Sequence, residues 1–239
     1  MSELKGKNAV ITGASKGVGQ ALACSLSRQQ VNVALIARSE KKLDNVVRTA
    51  QEYRGQAYAV PADLSDTGET EKAAARCRRL FQDRIDILIN NAGVFMEQPV
   101  PATEPSQWDR LMAVNLKAPF MLCKLLLPLM QQQQSGHIIN IASTSAHKGH
   151  LNQAAYCASK HGLLGFSRAL AMEAKPYRVR VSCLSPGGID TDFIAGSQVA
   201  VRIKNEAVLQ PNNIAALVLF VLSQPANTSY PEITLERFK

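Results

Sequence analysis

The chain has little that would serve a disulfide framework, a zinc site or a nucleic-acid surface. Its five cysteines form no CxxC pair and are odd in number, which fits a reducing compartment. Aromatic residues make up 5% of the sequence, and no basic stripe interleaved with aromatics accompanies the formal net charge of +8. We therefore expect no metal, no nucleic-acid partner, and cysteines that pack as small hydrophobes.

Long apolar runs and linkers are scarce as well. The longest apolar stretches, 125–130 and 214–222, fall short of the roughly 20 residues that span a bilayer, and no signal-peptide pattern precedes the first strand-like run. No Pro/Ser/Gly-rich linker divides the 239 residues. The prediction is a single domain over 1–239, cytoplasmic and without a membrane role.

Short β-branched runs alternate with longer amphipathic runs along the chain. This alternation predicts an α/β fold: a doubly wound parallel sheet of about seven strands with helices on both faces, and ligands beyond the strands' C-terminal ends. Ser106 is predicted to cap a helix that begins near Gln107, and 131–134 to be a solvated helix end. The predicted strands are 9–12, 33–37, 57–60, 85–90, 138–142, 179–185 and 233–235.

Three glycines stand close together in TGASKGVG, residues 12–19, between the first strand and the first helix. Gly13, Gly17 and Gly19 leave bare backbone that a nucleotide pyrophosphate can approach at the helix N-terminus. The spacing is GxxxGxG rather than the common GxGxxG. A glycine-rich turn without a ligand therefore stays open as an alternative.

The second strand ends in Ala37, Arg38 and Ser39 and lacks the acidic residue that would bind a free ribose 2′-hydroxyl. A guanidinium at that position can clamp a 2′-phosphate, and Lys16 adds a second cation on the same side. The pattern favours NADP(H) over NAD(H).

The stretch IINIASTSAHKGHLNQAAYCASK carries a candidate catalytic set: Ser143, Tyr156 and Lys160. Tyr156 and Lys160 are four residues apart, which places them on one helical face. A neighbouring ammonium and an oxidised nicotinamide would each lower the pKa of the tyrosine, and Ser143 could hold a substrate carbonyl. The YxxxK pattern alone occurs by chance in many helices.

Taken together, the motifs resemble the short-chain dehydrogenase/reductase family. TGASKGVG, ADL, the NNAG of residues 90–93, VNL, Ser143, YxxxK and SPGGIDT occur in the family's order and spacing, and the resemblance runs from residue 5 to about residue 195. Within the family, the sequence is most similar to 3-oxoacyl-(acyl-carrier-protein) reductases and related NADPH carbonyl reductases.

The resemblance implies a Rossmann fold and reversible hydride transfer. It makes Tyr156 the acid/base, Ser143 the group that polarises the carbonyl and Lys160 the ligand of the nicotinamide ribose, while Asn115 would hold a water in a proton relay. Some of these positions have structural alternatives: Asp63 could cap a turn, Asn90 and Asn91 could tie neighbouring strands, and Asn115 could bridge a helix kink. The expected cofactor contacts are Gly13, Ser15, Lys16, Gly17, Val18, Gly19, Arg38, Ser39, Asp63, Leu64, Asn91, Ala92, Gly93, Tyr156, Lys160, Pro186, Gly187, Ile189 and Thr191.

The expected substrate is a moderately apolar carbonyl compound, either a 3-oxoacyl thioester or a small ketone. Two stretches, SYPEITLERFK and QQQQSGH, depart from the acyl-carrier pattern, and about 20 residues between Thr191 and Asn213 predict a small lid. The expected pocket walls are 94–96, 147–153 and the segment after Gly187, with the loop histidines His147 and His150 left outside the site.

A non-catalytic Rossmann-type binding protein is the alternative from another class, although the intact Ser, Tyr, Lys and Asn set favours an enzyme. Family resemblance and the apolar segments 122–130 and 214–222 predict a homodimer or homotetramer.

Overall fold

The computed structural model, which describes residues 4–53, 55–203 and 208–238, has an open parallel β-sheet with helices on both faces. The strand order is β3-β2-β1-β4-β5-β6-β7, so the direction of winding reverses between β1 and β4. All seven predicted strands are confirmed. They are β1 (Asn8–Thr12), β2 (Asn32–Ala37), β3 (Ala57–Pro61), β4 (Ile87–Asn90), β5 (Gly136–Ile141), β6 (Val179–Pro186) and β7 (Glu232–Leu235).

The helices divide between the two faces of the sheet. Along β1 and β2 the side chains alternate, so that Ile11 and Leu35 pack against α1, α2 and α8, whereas Val10 and Ile36 pack against the face that carries α3, α5 and α6. The helices are α1 (Gly17–Arg28), α2 (Glu40–Gln51), α3 (Thr67–Leu80), α4 (Pro105–Met112), α5 (Ala118–Gln133), α6 (Ala154–Ala174), α7 (Gln198–Ile203) and α8 (Pro211–Ser223).

One local prediction about a helix end was wrong, and a second was confirmed in part. Ser106 lies inside α4, because Pro105 is the first helical residue and the Gln107 side chain accepts a hydrogen bond from the N–H of Glu104 (3.0 Å). The end of α5 is only partly solvated. Gln133 is bonded twice to the backbone of Ile85, accepting from its N–H (3.1 Å) and donating to its carbonyl (2.9 Å).

Among the residues that the structure describes, one helical stretch is long and apolar enough to cross a membrane by length and composition. Residues Pro105–Gln133, in which a π-helical turn (Ala113–Lys117) joins α4 to α5, have 56% of the relevant window buried within the protein. Its inward side chains, such as Leu122 and Leu126, belong to the core beside the sheet. Core helices of soluble proteins have the same composition.

Candidate active site

One large cavity of about 1320 Å³ opens beyond the C-terminal ends of the strands. It lies where the strand order reverses, the position at which open α/β sheets bind ligands. Of the predicted site residues, Gly19 and Asn115 do not line it. Those that do are Gly13, Ser15, Lys16, Gly17, Val18, Arg38, Ser39, Asp63, Leu64, Asn91, Ala92, Gly93, Ser143, Tyr156, Lys160, Pro186, Gly187, Ile189 and Thr191.

The glycine turn is shaped to receive an anion. Gly13 (φ +65°) and Gly17 (φ +56°) adopt left-handed conformations, and a Cβ on Gly13 would lie 2.8 Å from the Cα of Ala92. No side chain caps the N-terminus of α1, and its first turn contains no acidic residue. The N–H groups at this helix end therefore face the cavity with a favourable dipole, which fits a pyrophosphate.

Gly19 has a packing role instead. A Cβ there would lie 2.2 Å from the carbonyl oxygen of Gly13, so only glycine lets α1 approach the turn this closely. Thr12, which the sequence reasoning missed, holds the other side of the turn. Its Oγ1 accepts hydrogen bonds from the N–H groups of Asn91 and Ala92, both at 2.9 Å. The signal for Thr12 was its place at the end of β1.

Asn91 lines the cavity and also ties two strands together, because its Nδ2 donates to the carbonyl of Thr12 (2.9 Å). Asn90 is buried and donates to Asn140 Oδ1 (2.8 Å) on the neighbouring strand. Asn91 therefore ties two strands together and also lines the cavity. Asn90 ties neighbouring strands in the same way.

Cations gather where β2 ends. Arg38 lines the cavity, and so does Lys42, whose N–H bonds Ser39 Oγ (3.4 Å) in the first turn of α2. Lys42 was missed, although its place three residues after the helix cap was the available signal. Lys16, in contrast, is paired with Asp192 (3.4 Å), with both side chains exposed. Asp192, in the predicted lid between Thr191 and Asn213, therefore competes with a 2′-phosphate for Lys16.

Asp63 faces this positive region from the end of β3. Burial raises the pKa of its carboxyl group, but hydrogen bonds from Ser65 and the charges of Arg38 and Arg110 outweigh burial and lower that pKa. The Ser65 N–H and hydroxyl both bond Asp63 Oδ1, at 2.9 and 2.8 Å. Asp63 therefore stays ionised, caps its own turn and lines the cavity as predicted.

The catalytic candidates come from two elements. Ser143 follows β5, and Tyr156 and Lys160 stand one turn apart on α6. Ser143 lies beside Tyr156 and acts to lower the pKa of its phenol. Lys160 Nζ lies 5.9 Å from the centroid of the Tyr156 ring and donates to the carbonyl of Ile141 (3.0 Å). Tyr156 and Lys160 are almost fully buried.

The expected lowering of the tyrosine pKa was wrong for the protein alone. Burial raises the pKa of Tyr156, and the hydrogen bond with Ser143 opposes that rise only in part. Burial lowers the pKa of Lys160 to about 8. Lys160 does not offset the burial of the phenol because its ammonium is directed to the Ile141 carbonyl and is itself desolvated.

Asn115 sits in the π-helical turn and is fully buried. Its Nδ2 donates to the Val94 carbonyl (2.9 Å) and to Ser159 Oγ (3.0 Å), and its Oδ1 accepts from the Val94 N–H (2.8 Å). Both amide hydrogens are therefore used by protein atoms. The side chain anchors the segment after β4 to α6, and its water-holding role stays a prediction.

The substrate end of the cavity contains residues from five segments. Val94, Phe95, Lys148 and Gln153 line it as expected. His150, which was left outside the predicted site, also lines it, and Met96 does not. His147 points elsewhere and its Nε2 meets Ser185 Oγ at 3.0 Å. Further cavity residues that the sequence reasoning missed include Arg110, Phe193, Glu236 and Arg237. The last two follow β7 and carried no motif.

Metal chemistry finds no support in the described part of the chain, where no group of three or more His, Cys, Asp or Glu side chains could hold an ion. Four of the five cysteines are buried, and burial raises the pKa of Cys77 and of Cys123 to about 12. These thiols behave as small apolar side chains, as expected.

The fold and the cavity define a Rossmann-type oxidoreductase that uses a nicotinamide dinucleotide. More specifically, the chain belongs to the short-chain dehydrogenase/reductase family, since the family profile described as "short chain dehydrogenase" matches residues 7–200.

Known proteins support this assignment over the full length. An uncharacterized oxidoreductase of Staphylococcus epidermidis is 33% identical over 235 residues, 98% of this chain and 99% of that protein. A metagenomic short-chain oxidoreductase solved with NADP is 35% identical, with a TM-score of 0.87 and complete coverage of both chains. An alcohol dehydrogenase from Thermococcus sibiricus, solved with 5-hydroxy-NADP, is 25% identical, with a TM-score of 0.88 and coverage of 97% and 96%. These names do not single out 3-oxoacyl-(acyl-carrier-protein) reductases.

Proposed function

We propose that the protein is an NADP(H)-dependent enzyme that interconverts a ketone and a secondary alcohol. The observation that carries the proposal is the convergence of Ser143, Tyr156 and Lys160 on the cavity that also contains the glycine turn. In reduction, the carbonyl carbon receives the hydride of NADPH and its oxygen receives the Tyr156 proton, which leaves an alcohol, NADP⁺ and a phenolate that solvent reprotonates.

Each residue of the set has a separate task. Tyr156 Oη transfers the proton at the carbonyl oxygen, and Ser143 Oγ, which lines the same cavity, donates to that same oxygen. Lys160 provides a buried ammonium for the ribose and the phenolate. The intact set also argues against the non-catalytic alternative.

Tyr156→Phe tests the chemistry. We expect the fold and NADPH affinity to be kept and turnover to fall by at least about 10²- to 10⁴-fold, because only the transferable proton is lost. Tyr177→Phe is the matched control, since Tyr177 is exposed and does not line the cavity. Ketone reduction by the Tyr156→Phe variant at the parent rate would reject the assignment.

The preference for NADP(H) rests on Arg38 and on the absence of an acid at the end of β2. Lys42 adds a second cation that also lines the cavity. The two solved relatives described above contain NADP or a derivative of it, which supports the same choice. Titration of the purified protein with both nucleotides tests this part, and tighter binding of NADH would contradict it.

Two carbonyl substrates are supported by different observations. A 3-oxoacyl thioester on an acyl carrier protein or coenzyme A would meet the cations Lys148 and Arg237 at the cavity, although Lys148 is paired with Glu236 (3.6 Å). A small ketone is favoured by the apolar Val94 and Phe95 and by the short lid, in which the 3₁₀ turn Asp192–Ile194 and α7 precede α8. NADPH oxidation with acetoacetyl thioesters and with simple ketones separates the two.

A homo-oligomer in the cytoplasm completes the proposal. The inward residues of 122–130 and 214–222, including Leu126 and Val218, are used by the protein's own core, so those segments are not free as a whole for assembly. A separate apolar hollow of about 380 Å³ on α4, the π-turn, α5 and α6 is a better contact surface for a second copy. This apolar hollow is lined by Met112, Leu116, Lys117, Phe120, Gly162 and Phe166.

A further inference from the structure

Two aromatic rings pack beside the Tyr156 ring in the cavity. The Phe95 ring centroid lies 4.9 Å from that of Tyr156, with an angle of 73° between the planes. The Phe193 centroid lies 6.1 Å from Phe95 and 6.4 Å from Tyr156. Phe95 and Phe193, called the aromatic wall below, both line the cavity.

The two halves of the wall come from different segments that are bonded to each other. Phe95 belongs to the segment after β4, and Phe193 to the 3₁₀ turn Asp192–Ile194 of the lid. Glu97 Oε2, two residues after Phe95, accepts hydrogen bonds from the N–H groups of Gln198 (2.7 Å) and Val199 (3.3 Å) at the start of α7. The wall is therefore a joint product of both segments.

The anchoring of each ring differs. Phe95 is half-buried and packs, together with Val94 and Met96, against the cluster that contains Leu111 and Tyr156. Phe193 is 39% exposed, although the ring edge is close to Gly93, 3.5 Å from a Cβ built there. A substituent attached to a carbonyl at Tyr156 would have Phe95 as a fixed surface and Phe193 as an adjustable one.

The chemistry of these surfaces favours one kind of substituent. Aromatic rings attract another ring through edge-to-face and offset-stacked contacts, an attraction beyond that of a saturated group of equal size. A flexible acyl chain would gain no such contact and would lose rotational freedom on binding. We propose that the aromatic wall makes the enzyme selective for ketones that carry an aryl group next to the carbonyl.

This inference rests on the proposed function and is tested with matched substrates. Acetophenone and cyclohexyl methyl ketone have similar size and differ in whether the ring is aromatic. We expect the parent enzyme to have a kcat/KM about tenfold higher for acetophenone, from two ring contacts of ordinary strength. Phe193→Leu and Phe95→Leu should each bring the ratio of the two kcat/KM values closer to one.

The control is Tyr58→Leu, which removes the Tyr58–Phe81 ring contact (6.0 Å) away from the cavity and should leave the ratio as in the parent. NADPH titration shows whether each variant is folded. A parent ratio at or below one, or an unchanged ratio in both cavity variants, overturns the inference. If the inference is overturned in this way and the parent reduces acetoacetyl thioesters, the proposed function still stands. A parent that binds NADPH but reduces no carbonyl compound overturns both.

Discussion

We expect the charge of one side chain at the end of β2 to decide which nucleotide the cavity prefers. Arg38→Asp replaces a phosphate ligand by an acid suited to ribose hydroxyls, so NADPH affinity should fall about 10- to 100-fold and NADH affinity should rise. Arg48→Asp is the matched control, because it changes the same charge on the exposed last turn of α2. Fluorescence titration provides both dissociation constants, and an unchanged preference would mean that Arg38 does not contact the 2′-phosphate.

A buried histidine that does not line the cavity makes the stability of the protein depend on pH. His137 is 3% exposed beside Ser182, and burial, with a smaller contribution from Arg180, lowers the pKa of its imidazole from 6.5 to about 3. Between these values the unfolded chain binds a proton that the folded protein does not, so stability falls as pH falls from 6.5 towards 3. The contribution is about 1.4 kcal/mol per pH unit.

His137→Asn removes this titration. The free energy of unfolding, measured from urea curves at several pH values, should therefore fall less steeply with acid in the variant. The difference in slope should be about 1.4 kcal/mol per pH unit. Any constant loss from the smaller side chain shifts the whole curve and leaves the slope comparison valid. Parallel curves for the two proteins would show that His137 is not held neutral.

At the scale of elements, the close contact between α1 and the glycine turn makes Gly19 irreplaceable. Gly19→Ala places a methyl group 2.2 Å from a backbone oxygen, so the helix must shift, with an expected loss of about 1–3 kcal/mol in stability and weaker cofactor binding. Gly165→Ala in α6 is the matched control, since nothing lies within 4 Å of its Cβ. That variant should gain up to about 1 kcal/mol, and equal losses would contradict the packing argument.

The elements also show which features were readable in advance. Runs such as 33–37 could be assigned because a strand covered on both faces needs continuous apolar residues. Motif residues such as Gly13, Asn91 and Ser143 could be placed because each follows such a strand. The start of α4 one residue before Ser106 and the two hydrogen bonds between Gln133 and Ile85 depend on competition between neighbouring groups, which the sequence pattern does not show. Phe193 and the direction of the Lys160 ammonium depend on three-dimensional contacts that no spacing encodes.

For the whole molecule, the apolar hollow makes assembly testable. Phe120 is 47% exposed and its ring lies 6.1 Å from that of Phe166 at one edge of the hollow. Phe120→Asp would bury an unpaired charge in an interface and should convert the proposed oligomer into monomers of 26.0 kDa in light scattering. Val100→Asp, exposed and outside the hollow, should not. A parent protein that is already monomeric would reject the proposed assembly.

The five cysteines differ in exposure, so their reaction with a thiol reagent can report local unfolding. Cys24 on α1 is half-exposed, whereas Cys77, Cys123, Cys157 and Cys183 are buried in layers on and around the sheet. A maleimide added to the native protein should therefore attach first at Cys24, and slowly, because burial raises the pKa of that thiol as well. Each further adduct seen by mass spectrometry then marks the time at which another buried cysteine becomes accessible. The order of unfolding can therefore be followed without any engineered label.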